Sequence, residues 1–169
     1  FYVSGYTNGA VNGQALVGVG DYFIAKYSSE GTLQKTVQAG AALKSIGLAA
    51  HSLTISDSSL YLAGGADGAV DDQAHKGSYD GIFFKYSTGL DHSWTRIVGT
   101  SNWDSGGGVA VGTNNDVFLT GFVGGHLDNQ HNYNPGTTHD AFLKKVGTDG
   151  NALFTKLLND AAPVSRNNT

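Results

Sequence analysis

Along the chain, short apolar stretches alternate with segments rich in Gly, Asn, Asp and Ser, and four such stretches occur in each complete unit. Apolar runs bounded by turn chemistry are the signature of strands, here of a four-stranded antiparallel meander. The second unit predicts strands at 52–55, 60–64, 80–86 and 93–98, and the third at 108–111, 117–121, 140–146 and 152–157. The first unit lacks its opening strand, so the chain starts at what corresponds to a second strand.

The units are imperfect repeats. Phe1-Tyr-Val-Ser-Gly5 corresponds to Leu60-Tyr-Leu-Ala-Gly64 and Val117-Phe-Leu-Thr-Gly121, while Asp21-Tyr-Phe-Ile-Ala-Lys26 corresponds to Asp80-Gly-Ile-Phe-Phe-Lys85 and Asp140-Ala-Phe-Leu-Lys-Lys145. These glycines and aspartates return every 57 to 60 residues. Self-similarity at a fixed period marks a repeat architecture. The chain divides into a first repeat without its first strand (1–59), a second repeat segment (60–116), a third (117–158) and a polar tail (159–169).

The centre of the third strand is apolar on both sides. Phe23, Ile82 and Phe142 point one way, and Ile24, Phe83 and Leu143 the other. A sheet with one face in water alternates cleanly, so this pattern predicts sheets sandwiched between neighbours. The fold class expected is all-β, with about three consecutive four-stranded antiparallel blades of a β-propeller in an incomplete ring. Such an arc leaves apolar faces at both ends, which calls for further blades of the same polypeptide or other protein subunits.

First-to-second and third-to-fourth turns are short, as in Ser56-Asp-Ser-Ser59 and Gly147-Thr-Asp-Gly150. The second-to-third connections hold 14, 14 and 17 residues. In a meander these emerge at the same end as the unit-to-unit connections, and long loops of this kind concentrate function.

Composition narrows the class of function. The 25 Gly and 16 Tyr and Phe among 169 residues fit a strand- and turn-rich protein. Ten Lys and Arg scattered along the chain, with only Lys144 and Lys145 adjacent, against 14 acids, give no electrostatic footprint for nucleic acid. No apolar run is long enough to cross a bilayer as a helix. The absence of Cys excludes a disulfide framework and a thiol nucleophile, and the absence of Met in a chain starting at Phe1 is expected of a processed chain or of a piece of a longer one.

The loop motif Gly9-Ala-Val-Asn12-Gly-Gln14 recurs as Gly68-Ala-Val-Asp71-Asp-Gln73 and Gly125-His-Leu-Asp128-Asn-Gln130. An apolar strand ending in Gly, this loop, and then Asp-x-apolar-apolar-x-Lys-Tyr together resemble the bacterial β-propeller repeat of the seven-bladed type (SBBP-like repeats). The stretch from Gly106 to Gly121 resembles that family's junction between first and second strands. The resemblance implies an exported or cell-surface protein, often part of a larger one, and brings no catalytic residues with it.

Several residues carry candidate chemistry. Asp21, Asp80 and Asp140 open a strand after a polar loop; they either accept hydrogen bonds from loop amides or, with Asp67, Asp71, Asp72 and Asp128, offer hard oxygen ligands to Ca²⁺. Gln14, Gln73 and Gln130 bridge to the next blade or hold a sugar hydroxyl. Lys26, Lys85 and Lys145 are expected to extend their ammonium groups to solvent. His126, His131 and His139, with His75, form a loop cluster at no established metal-site spacing. Trp94 reads as core, whereas Trp103, in a unit-to-unit connection, pairs with Tyr133 as a platform for a carbohydrate ring or packs over the blade edge.

No nucleophile elbow, phosphate-cradling loop or zinc-binding His-Glu motif is present, and the glycine runs read as turn glycines. The function expected is a non-catalytic exported module for protein or carbohydrate binding or scaffolding at a cell surface or in a larger extracellular assembly. The alternative is a propeller-type hydrolase or lyase fragment whose site is completed by missing blades.

Overall fold

The computed structural model describes residues 1–41, 46–48, 52–133, 136 and 138–158. Most of the 40–50 connection, His51 and the tail 159–169 therefore lie outside the described residues. Twelve strands and no helix occupy the described part: β1 (Tyr2–Thr7), β2 (Asp21–Tyr27), β3 (Leu33–Ala39), β4 (Ile46–Leu48), β5 (Thr54–Ser56), β6 (Ser59–Ala66), β7 (Asp80–Ser87), β8 (His92–Val98), β9 (Ser105–Val111), β10 (Val117–Val123), β11 (Asp140–Val146) and β12 (Ala152–Leu158). No helix is long and apolar enough to cross a membrane among these residues.

The strands form three antiparallel sheets in chain order: β1-β2-β3, then β4 and β5 beside β6-β7-β8, then β9-β10-β11-β12. Every expected strand exists, with edges shifted by at most three residues. The first strand of the middle sheet differs more, since β4 and β5 pair with opposite ends of β6 where a single strand at 52–55 was expected. Ile46-Gly-Leu48 is too short an apolar run to announce itself as a strand.

Turn chemistry sets the hairpins. At the β2–β3, β7–β8 and β11–β12 turns, the amides of Gly31, Leu90 and Gly150 donate to Ser28, Ser87 and Gly147 at 3.1, 2.9 and 2.9 Å. All three residues have φ between 61° and 81°, the left-handed geometry that follows a type I hairpin turn and leads into a bulge. Two are Gly. Leu90 accepts the less favourable backbone geometry because its side chain is buried in the core.

Strand alternation then builds two cores. Leu60, Leu62, Ile82, Phe84 and Tyr86 of the middle sheet pack against Tyr22 and Ile24 of the first. Tyr61, Ala63, Phe83 and Trp94 pack against Val117, Leu119, Phe142 and Val146 of the third. The two-sided apolar third strand is thus borne out in the middle sheet. Each first strand also leans on the preceding sheet, β9 against β6 and β7, and β4 against β1 and β2.

Two sequence readings need correction. Gly106–Gly108 is not a turn but part of β9, and a Cβ on Gly106 would lie 2.6 Å from the Gly64 carbonyl oxygen of the neighbouring sheet. Glycine is required there because two backbones touch. Lys26 and Lys85 do not extend into solvent either: each ammonium donates to a turn carbonyl of the following sheet, Thr88 O at 3.0 Å and Thr148 O at 2.9 Å.

Candidate functional site

The repeated loop motif is first a turn. Asn12 and Gly13, Asp71 and Asp72, and Asp128 and Asn129 all have positive φ, so each Val-x-x-Gln or Leu-x-x-Gln segment is a two-residue turn of type I′, which favours Asn, Asp and Gly. The amides of Gln14, Gln73 and Gln130 close it by donating to Val11, Val70 and Leu127 at 2.8–2.9 Å. The position of these glutamines is therefore set by main-chain bonding.

The first Asn or Asp of each turn ties the loop to the last strand of its sheet. Asn12 Nδ2 donates to Thr36 Oγ1 at 3.0 Å, and the hydroxyls of Thr95 and Thr155 donate to Asp71 and Asp128 at 2.5 and 2.6 Å. Lys144 pairs with Asp128, and His92 Nε2 lies 3.4 Å from Asp71. Burial works to raise the Asp128 carboxyl, but the Lys144 and Thr155 hydrogen bonds outweigh it and hold the group below the ordinary carboxylate range.

Two of the aspartates that open the third strands, Asp21 and Asp80, are buried loop anchors. Asp21 accepts from the amides of Val17 and Gly18 at 2.8 and 2.9 Å and from Gln38 Nε2 at 2.9 Å. Burial pushes its carboxyl up, yet these three donors together bring it below its usual value. Asp80 is held less well. Oδ2 accepts from the Lys76 amide at 2.7 Å and lies 3.5 Å from His75 Nε2, whereas Oδ1 and that ring nitrogen have no hydrogen-bond partner. Burial, with a contribution from Asp104, leaves the Asp80 carboxyl raised. Asp104 is a further anchor that the repeat did not reveal: it is fully buried and accepts from the amides of Thr100 and Gly124 at 2.5 and 2.8 Å.

Among the described residues no group of three or more His, Asp or Glu side chains is placed to hold a metal ion. The seven carboxylates proposed as ligands are distributed over separate places, Asp21 bonding Val17, Gly18 and Gln38. Asp71, Asp80 and Asp128 bond the protein as above; Asp72 occupies its turn with φ 61°, Asp67 lies close enough to Tyr79 to help raise its hydroxyl, and Asp140 starts β11. The histidines divide too: His126 and His131 meet at 5.0 Å between ring centroids, while His139 joins a different cluster.

That cluster is an aromatic shelf at the long-loop end. Trp103, 49% exposed, packs on Tyr79 at 6.0 Å, Phe122 at 5.0 Å and His139 at 5.4 Å. A parallel bridge between Tyr79 and Trp103, with the Asp104 amide donating to Tyr79 O at 2.8 Å, fixes the connection against the start of β7. Tyr6, 47% exposed, lies close enough to Tyr79 to contribute, after burial and Asp67, to raising its hydroxyl. Tyr133 is half exposed in the third loop, but it is not among the rings packed on Trp103. Of the two readings of Trp103, the pairing with Tyr133 is not formed, and the indole packs on Tyr79, Phe122 and His139.

A positional exchange hid those partners. At the end of the second strand stand Tyr6, Gly65 and Phe122, and just before the third stand Gly20, Tyr79 and His139. Where one position is Gly, the ring from the other fills its space: a Cβ on Gly65 would lie 2.1 Å from the Tyr79 ring, and one on Gly20 would lie 2.1 Å from the Tyr6 hydroxyl. Aligned repeats carry this signal, but only as a pair of columns.

No family model matches the chain. It is 29% identical over 159 residues to the regulatory protein FlaEY of Caulobacter vibrioides, a match covering 86% of this chain and 16% of that protein. The chain thus spans about a sixth of the length of the curated relative it matches.

Proposed function

We propose that the chain is a segment of an exported β-propeller of the SBBP-like type, a non-catalytic module that binds or scaffolds through its long-loop end, and that a sugar ring is the ligand class it fits best. The observation carrying this reading is the shelf of Trp103, Tyr79, Phe122 and His139. A half-exposed indole backed by fixed rings offers a flat face to the C–H groups of a pyranose at little entropic cost. The repeated packing of each sheet on the next supports the blade reading. Further blades, or other subunits, complete the arc, and a regulatory protein as a relative sits more easily with a binding role than with an enzymatic one.

Screening the chain on a glycan array, followed by titration of the best hit, tests the proposal. Trp103→Ala is expected to weaken that binding at least tenfold with the melting temperature changed by only a few degrees. Equal binding by the variant, or no binding of any glycan by the wild type, overturns the sugar-binding reading.

A further inference from the structure

Each sheet grips the next in the same way. From the first sheet, Lys26 Nζ and the Tyr2 hydroxyl donate to Thr88 O at 3.0 and 2.7 Å, and Lys35 Nζ donates to Gly89 O and Asp91 Oδ1 at 2.8 and 2.9 Å. From the middle sheet, Lys85 Nζ and Trp94 Nε1 donate to Thr148 O at 2.9 and 3.0 Å, and Arg96 donates to Asp149 O and Gly150 O, both at 2.8 Å. Two cations, one from the third strand and one from the fourth, thus clasp the last hairpin turn of the following sheet, the fourth-strand cation coming from different register positions: Lys35 pairs with Lys26, where the middle sheet has Trp94, and Arg96 pairs with Phe83. The ammonium of the third-strand lysine also lies over a second-strand ring, Tyr2 at 5.8 Å or Tyr61 at 5.5 Å.

Among the described residues, the third sheet carries the same kind of clasp without a following turn in it. Lys145 lies over Phe118 at 5.8 Å, as Lys26 and Lys85 lie over their tyrosines. By register Phe154 takes the place of Trp94 and Lys156 that of Arg96. In place of a turn carbonyl, Lys145 holds Asp116 of its own sheet at 2.8 Å. Phe154 and Leu158 beside it are 40% and 63% exposed.

The complementary half stands at the other end of the array. The first sheet's turn, Ser28-Ser-Glu-Gly-Thr32, corresponds to the clasped turns 87–91 and 147–151 and closes with the same hydrogen bonds. It carries Glu30, the only Glu in the chain, and the face beside it shows Phe1 and Val3 at 61% and 43% exposure.

We infer that the outer face of the third sheet receives the first sheet of a second copy of this chain, head to tail, with Lys145 on the Ser29 carbonyl and Lys156 on the 30–31 turn and the Glu30 carboxylate. The inference rests on the blade reading above. It is supported by continuity with the two interfaces already present in the molecule, the middle sheet's Arg96 being the counterpart of Lys156, and by the opposite charges of the exposed Lys156 and Glu30. Such a contact is heterologous and leads to rings or longer arrays.

Sedimentation velocity over a wide concentration range, at low salt, tests it. The wild type is expected to associate with rising concentration, and Lys156→Glu and Glu30→Lys, both at exposed sites, each to weaken association at least tenfold. An equimolar mixture of the two variants restores it, because the altered tail of one meets the altered head of the other. Unaltered circular dichroism melts establish that both variants fold. A wild type that stays monomeric throughout, variants that associate as it does, or a mixture that fails to recover would each overturn the inference. Failure of the sugar-binding reading is separate: it shows as binding indifferent to Trp103→Ala while charge-dependent association persists.

Discussion

Asp21 and Asp80 occupy the same repeat position, yet replacing each is expected to have opposite consequences. Asp21 uses both oxygens, and all three partners are donors, so the amide of Asp21→Asn must turn N–H groups toward N–H groups and lose at least one bond. Asp21→Ala loses all three. Hydrogen bonds to a charged acceptor contribute about 1.5–3 kcal/mol each, but Val17 and Gly18 lie in an exposed loop where water can replace part of the loss. The alanine variant should therefore cost roughly 2–4 kcal/mol, and the asparagine variant about half that. At about 2–4 °C per kcal/mol for a domain of this size, Asp21→Ala should melt lower by around 5–15 °C.

Asp80→Asn, by contrast, keeps an oxygen for the Lys76 amide, gives up only the weaker hold of the Gly77 amide, and removes a charge that burial makes unfavourable. Its stability at pH 7 should lie within about 1 kcal/mol of wild type, on the stabilising side. The pH dependences are opposite as well. Asp21, with a lowered carboxyl, contributes stability above the ordinary carboxylate range that is lost as pH falls through its folded value. Asp80, with a raised one, favours the folded state most at low pH and loses that contribution as pH rises from the ordinary range through its folded value. Thermal melts of the three variants between pH 3 and 7 read both effects. A loss for Asp80→Asn at pH 7 equal to that for Asp21→Asn would refute the distinction.

Phe83, fully buried between the middle and third sheets and edge-on to Phe142 at 6.3 Å, should cost about 3–5 kcal/mol when replaced by Ala, measured by denaturant unfolding. Tyr22 and Tyr86 share a buried hydroxyl–hydroxyl bond; burial pushes the Tyr86 hydroxyl up to about 12. Ultraviolet titration should therefore show both remaining un-ionised above the usual tyrosine range until the fold gives way, and stability should fall as pH rises through that range. Excess chelator should leave the melting temperature unchanged, because Asp71, Asp80 and Asp128 already bond protein donors; a drop reversed by added Ca²⁺ would show that the loops hold the ion.

Much of the architecture is legible in the sequence because it is decided by short-range chemistry. Alternation in β7 assigns Ile82 and Phe83 to opposite faces whatever lies beyond them, and Asn, Asp and Gly at 12–13, 71–72 and 128–129 mark turns because few other residues tolerate positive φ. The place of the repeated Asp after a polar loop likewise allows the loop-anchor role that Asp21 and Asp80 take, as one of two readings. What the tertiary structure alone decided is how one sheet is offset from the next. That offset delivers Lys26 and Lys85 to carbonyls 62 and 63 residues away, brings Gly106 against Gly64, and surrounds Trp103 with Tyr79, Phe122 and His139 instead of Tyr133. A period specifies that neighbours are alike; only the packing of two faces, each side chain filling the space its partner leaves, sets which of their atoms meet.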